Sequence, residues 1–126
     1  MAYELTFTQG RTSSQVVTLY EADADGMALN SGDVVRFKIG RRRGATPDLD
    51  MDSAAALSGG SSITVTQTAS AAMATIKICG ADCGSLIGTF SAELSVVDTG
   101  DGNRIKSVEH GVVNFLPALG GDTGLT

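Results

Sequence analysis

Apolar and polar residues alternate along the chain in short runs, the period-two signature of strands half-buried in a sheet. Tyr3–Thr8 sets Tyr3, Leu5 and Phe7 on one face and Glu4, Thr6 and Thr8 on the other. Residues 34–39 set Val35, Phe37 and Ile39 against Val34, Arg36 and Lys38, and residues 15–20 also read as sheet. Residues 62–68 alternate Ile63 and Val65 with Thr64 and Thr66. Residues 74–79 alternate Ile76 and Ile78 with Thr75 and Lys77, and Gly59-Gly60 punctuates the entry to this pair. Residues 89–97 carry Phe90, Ala92, Leu94 and Val96 on one face. Arg104–Leu116 carries Ile105, Val108, Val112, Val113 and Phe115, and Gly111 inside it predicts a bulge or a break between two strands.

The last two runs are joined by Asp98-Thr99-Gly100-Asp101-Gly102-Asn103, whose Asp-Gly pair between strong strand patterns predicts a hairpin. About seven strands at this spacing predict an all-β fold, an immunoglobulin-like β-sandwich of antiparallel strands. A short helix or a turn is expected only over residues 52–57, where Asp52 precedes Ala54, Ala55 and Ala56 and Gly59 ends the run. Residues 40–61 are otherwise the longest connection without strand, and a loop of that length commonly serves contact. One domain is expected over residues 1–117, with residues 118–126, rich in glycine, as a flexible or partner-ordered tail.

Composition narrows the function classes. Hydrophobic residues make up 42% of the 126 and charged ones 18%, enough apolar content for one core. The net charge of −5 argues against a nucleic-acid footprint, which needs clustered Lys and Arg. No run approaches the roughly 18 apolar residues of a membrane span, and Met1-Ala2-Tyr3-Glu4 lacks a signal-peptide start, so synthesis in the cytoplasm without export by that route is expected.

Candidate chemistry is sparse. Cys79 and Cys83 in C-x3-C spacing, with His110 the only histidine, fall short of a closed four-ligand zinc site. Two reduced cysteines flanking a turn are the preferred reading, and a local disulfide in an oxidised particle the alternative. Glu21, Asp23, Asp25 and Gly26 echo the first half of a calcium loop, but Gly32 stands where the twelfth position requires Glu. A solvated turn is preferred there.

Asp48, Asp50 and Asp52, and Asp98 with Asp101, offer paired carboxylates without a cleft to hold them. His110 has no recognisable nucleophile to serve, and Gly80-Ala81-Asp82-Cys83-Gly84 carries an acid where phosphate would bind. No catalytic, cofactor-binding or metal residue is therefore assigned. The remaining candidates are Arg41, Arg42 and Arg43, a basic cluster in an acidic chain, read equally as a solvated loop or as a partner-interface contact through bidentate pairing with carboxylates.

Three segments carry a resemblance: residues 33–39, residues 74–78, and residues 81–90 leading into Ala92-Glu93-Leu94. With a closing Gly111-Val112-Val113-Asn114-Phe115 strand after the Asp-Gly hairpin, the chain resembles the small domain at the N-terminus of phage baseplate upper proteins and in related virion components, including head-decoration proteins. The family's corresponding segment reads Ala-Asp-Thr before a leucine-containing turn, a glycine and an aromatic; here Cys83 replaces the threonine. Baseplate upper proteins continue into further parts, whereas this chain stops about ten residues past its last strand, so it is expected to act alone or by assembling.

The resemblance implies a non-enzymatic virion structural protein. A capsid decoration (cement) protein bound to the assembled head lattice is favoured, with a tail or baseplate accessory as the alternative. Its partners would be the major capsid protein or tail and baseplate subunits, and it would act as a homo-oligomer or lattice-bound copy in the virion. A glycan- or host-binding adhesion module is a further alternative, weakened by the absence of Trp and by Tyr3 and Tyr20 lying inside predicted strands.

Overall fold

The alternation is carried strand by strand into the computed structural model, which describes residues 3–21, 32–41, 46–67 and 71–117. Its strands are β1 (Tyr3–Thr8), β2 (Ser13–Glu21), β3 (Asp33–Gly40), β4 (Leu49–Asp52), β5 (Ser62–Gln67), β6 (Ala71–Ile78), β7 (Gly88–Asp98) and β8 (Arg104–Leu116). One helical turn, α1 (Gly80–Cys83), links β6 to β7. β1-β8-β7-β3-β4 form a five-stranded sheet and β2-β6-β5 a three-stranded one. All neighbouring strands are antiparallel except β1 and β8, which run parallel from Tyr3 opposite Gly111 to Thr8 opposite Leu116.

The expectation of about seven antiparallel strands is thus corrected, among the described residues, to eight with one parallel pair. The reason lies at Gln9 to Thr12. A tight hairpin would force antiparallel pairing within one sheet, but this link carries the chain from one sheet to the other, leaving β1 free to pair with the last strand.

Both inner faces feed one core. Phe7, Phe37, Phe90 and Phe115 from the large sheet and Ile76 and Ile78 from the small one are buried together. Phe115 stacks on Phe7 with centroids 5.8 Å apart and takes Phe90 edge-on at 5.5 Å, geometries that suit the ring quadrupole. The expected hairpin is present: the Asp98 carboxylate accepts the Gly100 N–H at 3.0 Å, and Gly102 and Asn103 both turn at φ 63°. That left-handed conformation is one that Gly and Asn adopt most readily.

Three local expectations are corrected. The 40–61 connection contains β4, whose Leu49 and Met51 are buried while Asp50 faces solvent. No helix forms at residues 52–57: Asp52 Oδ1 accepts the N–H groups of Ala54 and Ala55, but only bends follow. Cap and propensity fail there because the stretch offers no apolar stripe to bury. Gly111 marks neither bulge nor break, since β8 pairs through it without interruption. A Cβ at Gly111 would lie 2.5 Å from the Tyr3 ring and carbonyl oxygen, so the glycine admits the close approach of β1.

The irregularity in β8 lies instead at Lys106. Val96 faces Ser107 and Val97 faces Ile105, leaving Lys106 as an extra residue. This bulge switches the face on which Ile105 emerges and directs Lys106 to the Asp33 carboxylate at 2.8 Å. The calcium-like spacing beyond Glu21 and the 118–126 tail lie outside the described residues.

Candidate interaction face

The outer face of the five-stranded sheet is built by the same alternation that fills the core. On β8, Val113 and Phe115 point inward, so Val112 and Leu116 point out, as does Val108 further along. The Lys106 bulge adds Ile105 to the same side. Ile105, Val108, Val112 and Leu116 are 60%, 40%, 37% and 51% exposed, a line of large apolar side chains along one strand. On β7, Ile105 faces Val97, Val108 faces Ser95 and Val112 faces Ser91, while His110 and Asn114 stand between the apolar residues on β8 itself, so the ridge is apolar side chains interspersed with polar ones.

Beside the Ile105 end is an open depression of about 310 Å³, lined by Val34, Val97 and Ile105 and edged by Arg36, Lys38 and Glu93. Both charge signs meet there. Arg36 forks onto Asp50, Nε to Oδ1 at 3.2 Å and a terminal nitrogen to Oδ2 at 3.0 Å. An exposed pair of this kind adds little stability but fixes the pattern of charge a partner would meet. Glu93 and His110 lie opposite each other across β7 and β8, next to the ridge.

The other candidate groups go elsewhere. Arg41 lies with its guanidinium carbon 4.5 Å from the Phe90 ring centroid, covering the end of the core, while Arg42 and Arg43 fall outside the described residues. Asp50 is taken by Arg36, Asp52 by backbone N–H groups, and Asp98 and Asp101 by Arg104 at 3.8 and 2.9 Å. Cys79 and Cys83 are free thiols. Burial pushes the Cys83 thiol above its ordinary range. Among the described residues, no group of three or more His, Cys, Asp or Glu side chains is placed to hold a metal ion, and no helix is long and apolar enough to cross a membrane.

The Gly-Ala-Asp-Cys-Gly segment is a tether. Asp82 accepts the Ser61 N–H at 3.1 Å and the Ser61 hydroxyl, and the Ser61 oxygen accepts the Cys79 N–H at 2.8 Å. This chain ties the entry of β5 to α1.

On the inner face of the five-stranded sheet, Glu109 lies opposite buried Leu94, and burial raises its carboxyl above the usual range. Burial also raises the Tyr3 hydroxyl, with Glu109 and then Glu93 adding to it. Because the folded state holds the Glu109 proton more tightly than the unfolded chain, stability falls as pH rises from the ordinary Glu range through the raised folded value. Glu109→Gln is expected to remove that decline. Urea midpoints of both proteins between about pH 4 and about pH 7 check it; parallel profiles would refute the assignment.

The ridge was not anticipated, although its signal is in the sequence. Val112 and Val113 are adjacent, and a strand that keeps Val113 and Phe115 inside must show Val112 and Leu116 on its other face. No protein-family model matches the chain, and no curated protein matches it.

Proposed function

We propose that the protein is a non-enzymatic structural component of a phage particle, a capsid decoration protein that binds the assembled head lattice through the outer face of its five-stranded sheet. The phage assignment rests on the sequence resemblance. The observation that carries the mode of action is the β8 ridge, because solvated domains rarely leave four large apolar side chains exposed on the outer face of one strand. An apolar ridge interspersed with polar residues and a depression with both charge signs suits an apolar centre with a polar rim. A lattice multiplies such a contact, since many weak sites bind together without new chemistry.

We infer further that the two sheets form an immunoglobulin-like sandwich. In support, β8-β7-β3-β4 follow the G-F-C-C′ order of that fold and β2-β6-β5 its B-E-D order. β1 departs from the seven-stranded plan by joining the sheet of β8. Arg41, Arg42 and Arg43 are kept as a separate proposed partner contact, of which Arg41 is held over Phe90.

The test is cosedimentation with expanded, undecorated heads of the encoding phage and, in parallel, with its tails. Saturable binding to heads, lost in a folded Val112→Asp variant by about a hundredfold or more, is expected because a charge would be buried against an apolar contact. Binding to tails alone would move the protein to a tail or baseplate accessory role. Binding to neither would refute the proposal.

A further inference from the structure

Each sheet ends in two edge strands, and an edge with free backbone groups pairs with other chains unless something prevents it. Three of the four edges carry such a device. β4 is four residues long and bears Asp50 and Asp52. β1 carries Glu4, and its Thr6 carbonyl already accepts the Gln15 side-chain amide at 3.0 Å. β2 is interrupted by a register shift between Thr18 and Tyr20. Among the described residues β5 shows none of these over residues 62–66: its pairing with β6 is unbroken, and the segment contains no charge and no proline.

We propose that β5 is a self-association edge, pairing antiparallel with β5 of a second copy about a two-fold axis through Thr64. The sequence of this edge favours a copy of itself over another partner. Ser62-Ile63-Thr64-Val65-Thr66 is palindromic in side-chain type, reading hydroxyl, branched apolar, hydroxyl, branched apolar, hydroxyl in either direction. A two-fold axis perpendicular to the sheet sets Thr64 against the partner's Thr64 and Ile63 against the partner's Val65, with Ser62 against the partner's Thr66.

Inner faces then meet inner faces. Ile63 is buried and Val65 half-buried in one copy, and the pairing covers Val65 with the partner's Ile63 while hydroxyls line up outside. β-branched and Thr–Thr cross-strand pairs are among the favourable ones. The strands exchange about four to six backbone hydrogen bonds, and the two small sheets become one continuous sheet. Five residues a side fall below the roughly 1,200 Å² of a standard interface, so the association is weak and grows with concentration. It is independent of what the β8 ridge binds, because β5 belongs to the other sheet.

The test is sedimentation velocity of the full chain from about 10 µM to about 1 mM, spanning the range expected of a small interface. The wild-type mean mass is expected to rise toward twice that of the chain. Thr64 is exposed, so Thr64→Lys and Thr64→Glu are expected to fold with unchanged urea midpoints. Each should remain monomeric, because its introduced charge meets the same charge at the axis. A one-to-one mixture of the two should associate at least as well as the wild type, Lys opposite Glu. A wild type that stays monomeric throughout, or either single variant associating as well as the wild type, would overturn the proposal.

Discussion

Replacing Asp82 with Ala is expected to cost about 3 kcal/mol of folding stability, although Asp82 is only partly buried and belongs to a single turn of helix. The cost falls on Ser61. That residue is fully buried, and both its N–H and its hydroxyl donate to Asp82 Oδ2. Without the carboxylate, two buried donors lose their acceptor, at about 1–3 kcal/mol each, partly offset where the loop opens to water. The relay then weakens at its other end, where the Ser61 oxygen accepts the Cys79 N–H. Asp82→Asn keeps one acceptor oxygen and should lose about half as much. Urea unfolding of wild type, Asp82→Ala, Ser61→Ala and the double variant measures this. The double variant should lose clearly less than the sum of the singles, and strict additivity would show that Asp82 and Ser61 do not act as a unit.

The tether also shows where the sequence stopped being informative. Its glycines and acid speak only to phosphate binding, and nothing in its sequence points to Ser61, 21 residues earlier, as its partner. Periodicity reports which face of a strand is apolar, and it reads β1, β3 and β7 correctly because each turns its largest buried side chains to a single face. β4 escaped for a related reason. Leu49 and Met51 alternate with Asp50 and Asp52 as strictly as any strand here, but four residues and a run of carboxylates read as a loop or an acidic site. β8 misled differently, since apolar residues on both faces look like one rich core strand until the register separates them. Of the basic cluster, sequence found the charge of Arg41 but not its position over Phe90, which depends on where β3 ends beside the start of β7.

The two surfaces proposed for this chain divide the labour expected of a lattice-bound protein. The ridge lies on the outer face of the larger sheet and the neutral edge on the smaller one, so one copy can hold a shell through the first and a neighbour through the second. Neither surface requires chemistry. Local contacts too weak to persist alone become durable when the shell fixes their spacing, which raises the effective concentration of each for the next. A weak β5 contact is therefore consistent with tight decoration, and strengthening it in solution would favour assembly away from the shell.

Removing the Lys106 ammonium alone, as Lys106→Met, is expected to cost about 3 kcal/mol, the low end for breaking a buried ion pair from one side. Asp33 is 1% exposed and Lys106 18%, so the buried carboxylate loses a close partner, while the partial exposure of the Lys106 side chain keeps the penalty from the upper range. Asp33→Asn together with Lys106→Met removes both charges and should regain much of the loss, because the remaining amide is far less costly to bury than a carboxylate.

This pair also bears on the ridge. Lys106 is the bulged residue, and the switch of face that exposes Ile105 depends on its backbone being held out of register. If the ion pair holds the bulge, Lys106→Met should weaken head binding beyond what its lost stability explains, whereas the charge-free double variant should stay weak in binding while recovering in urea. If both variants bind as the wild type does, the bulge is fixed by the backbone alone and the ion pair serves only the core.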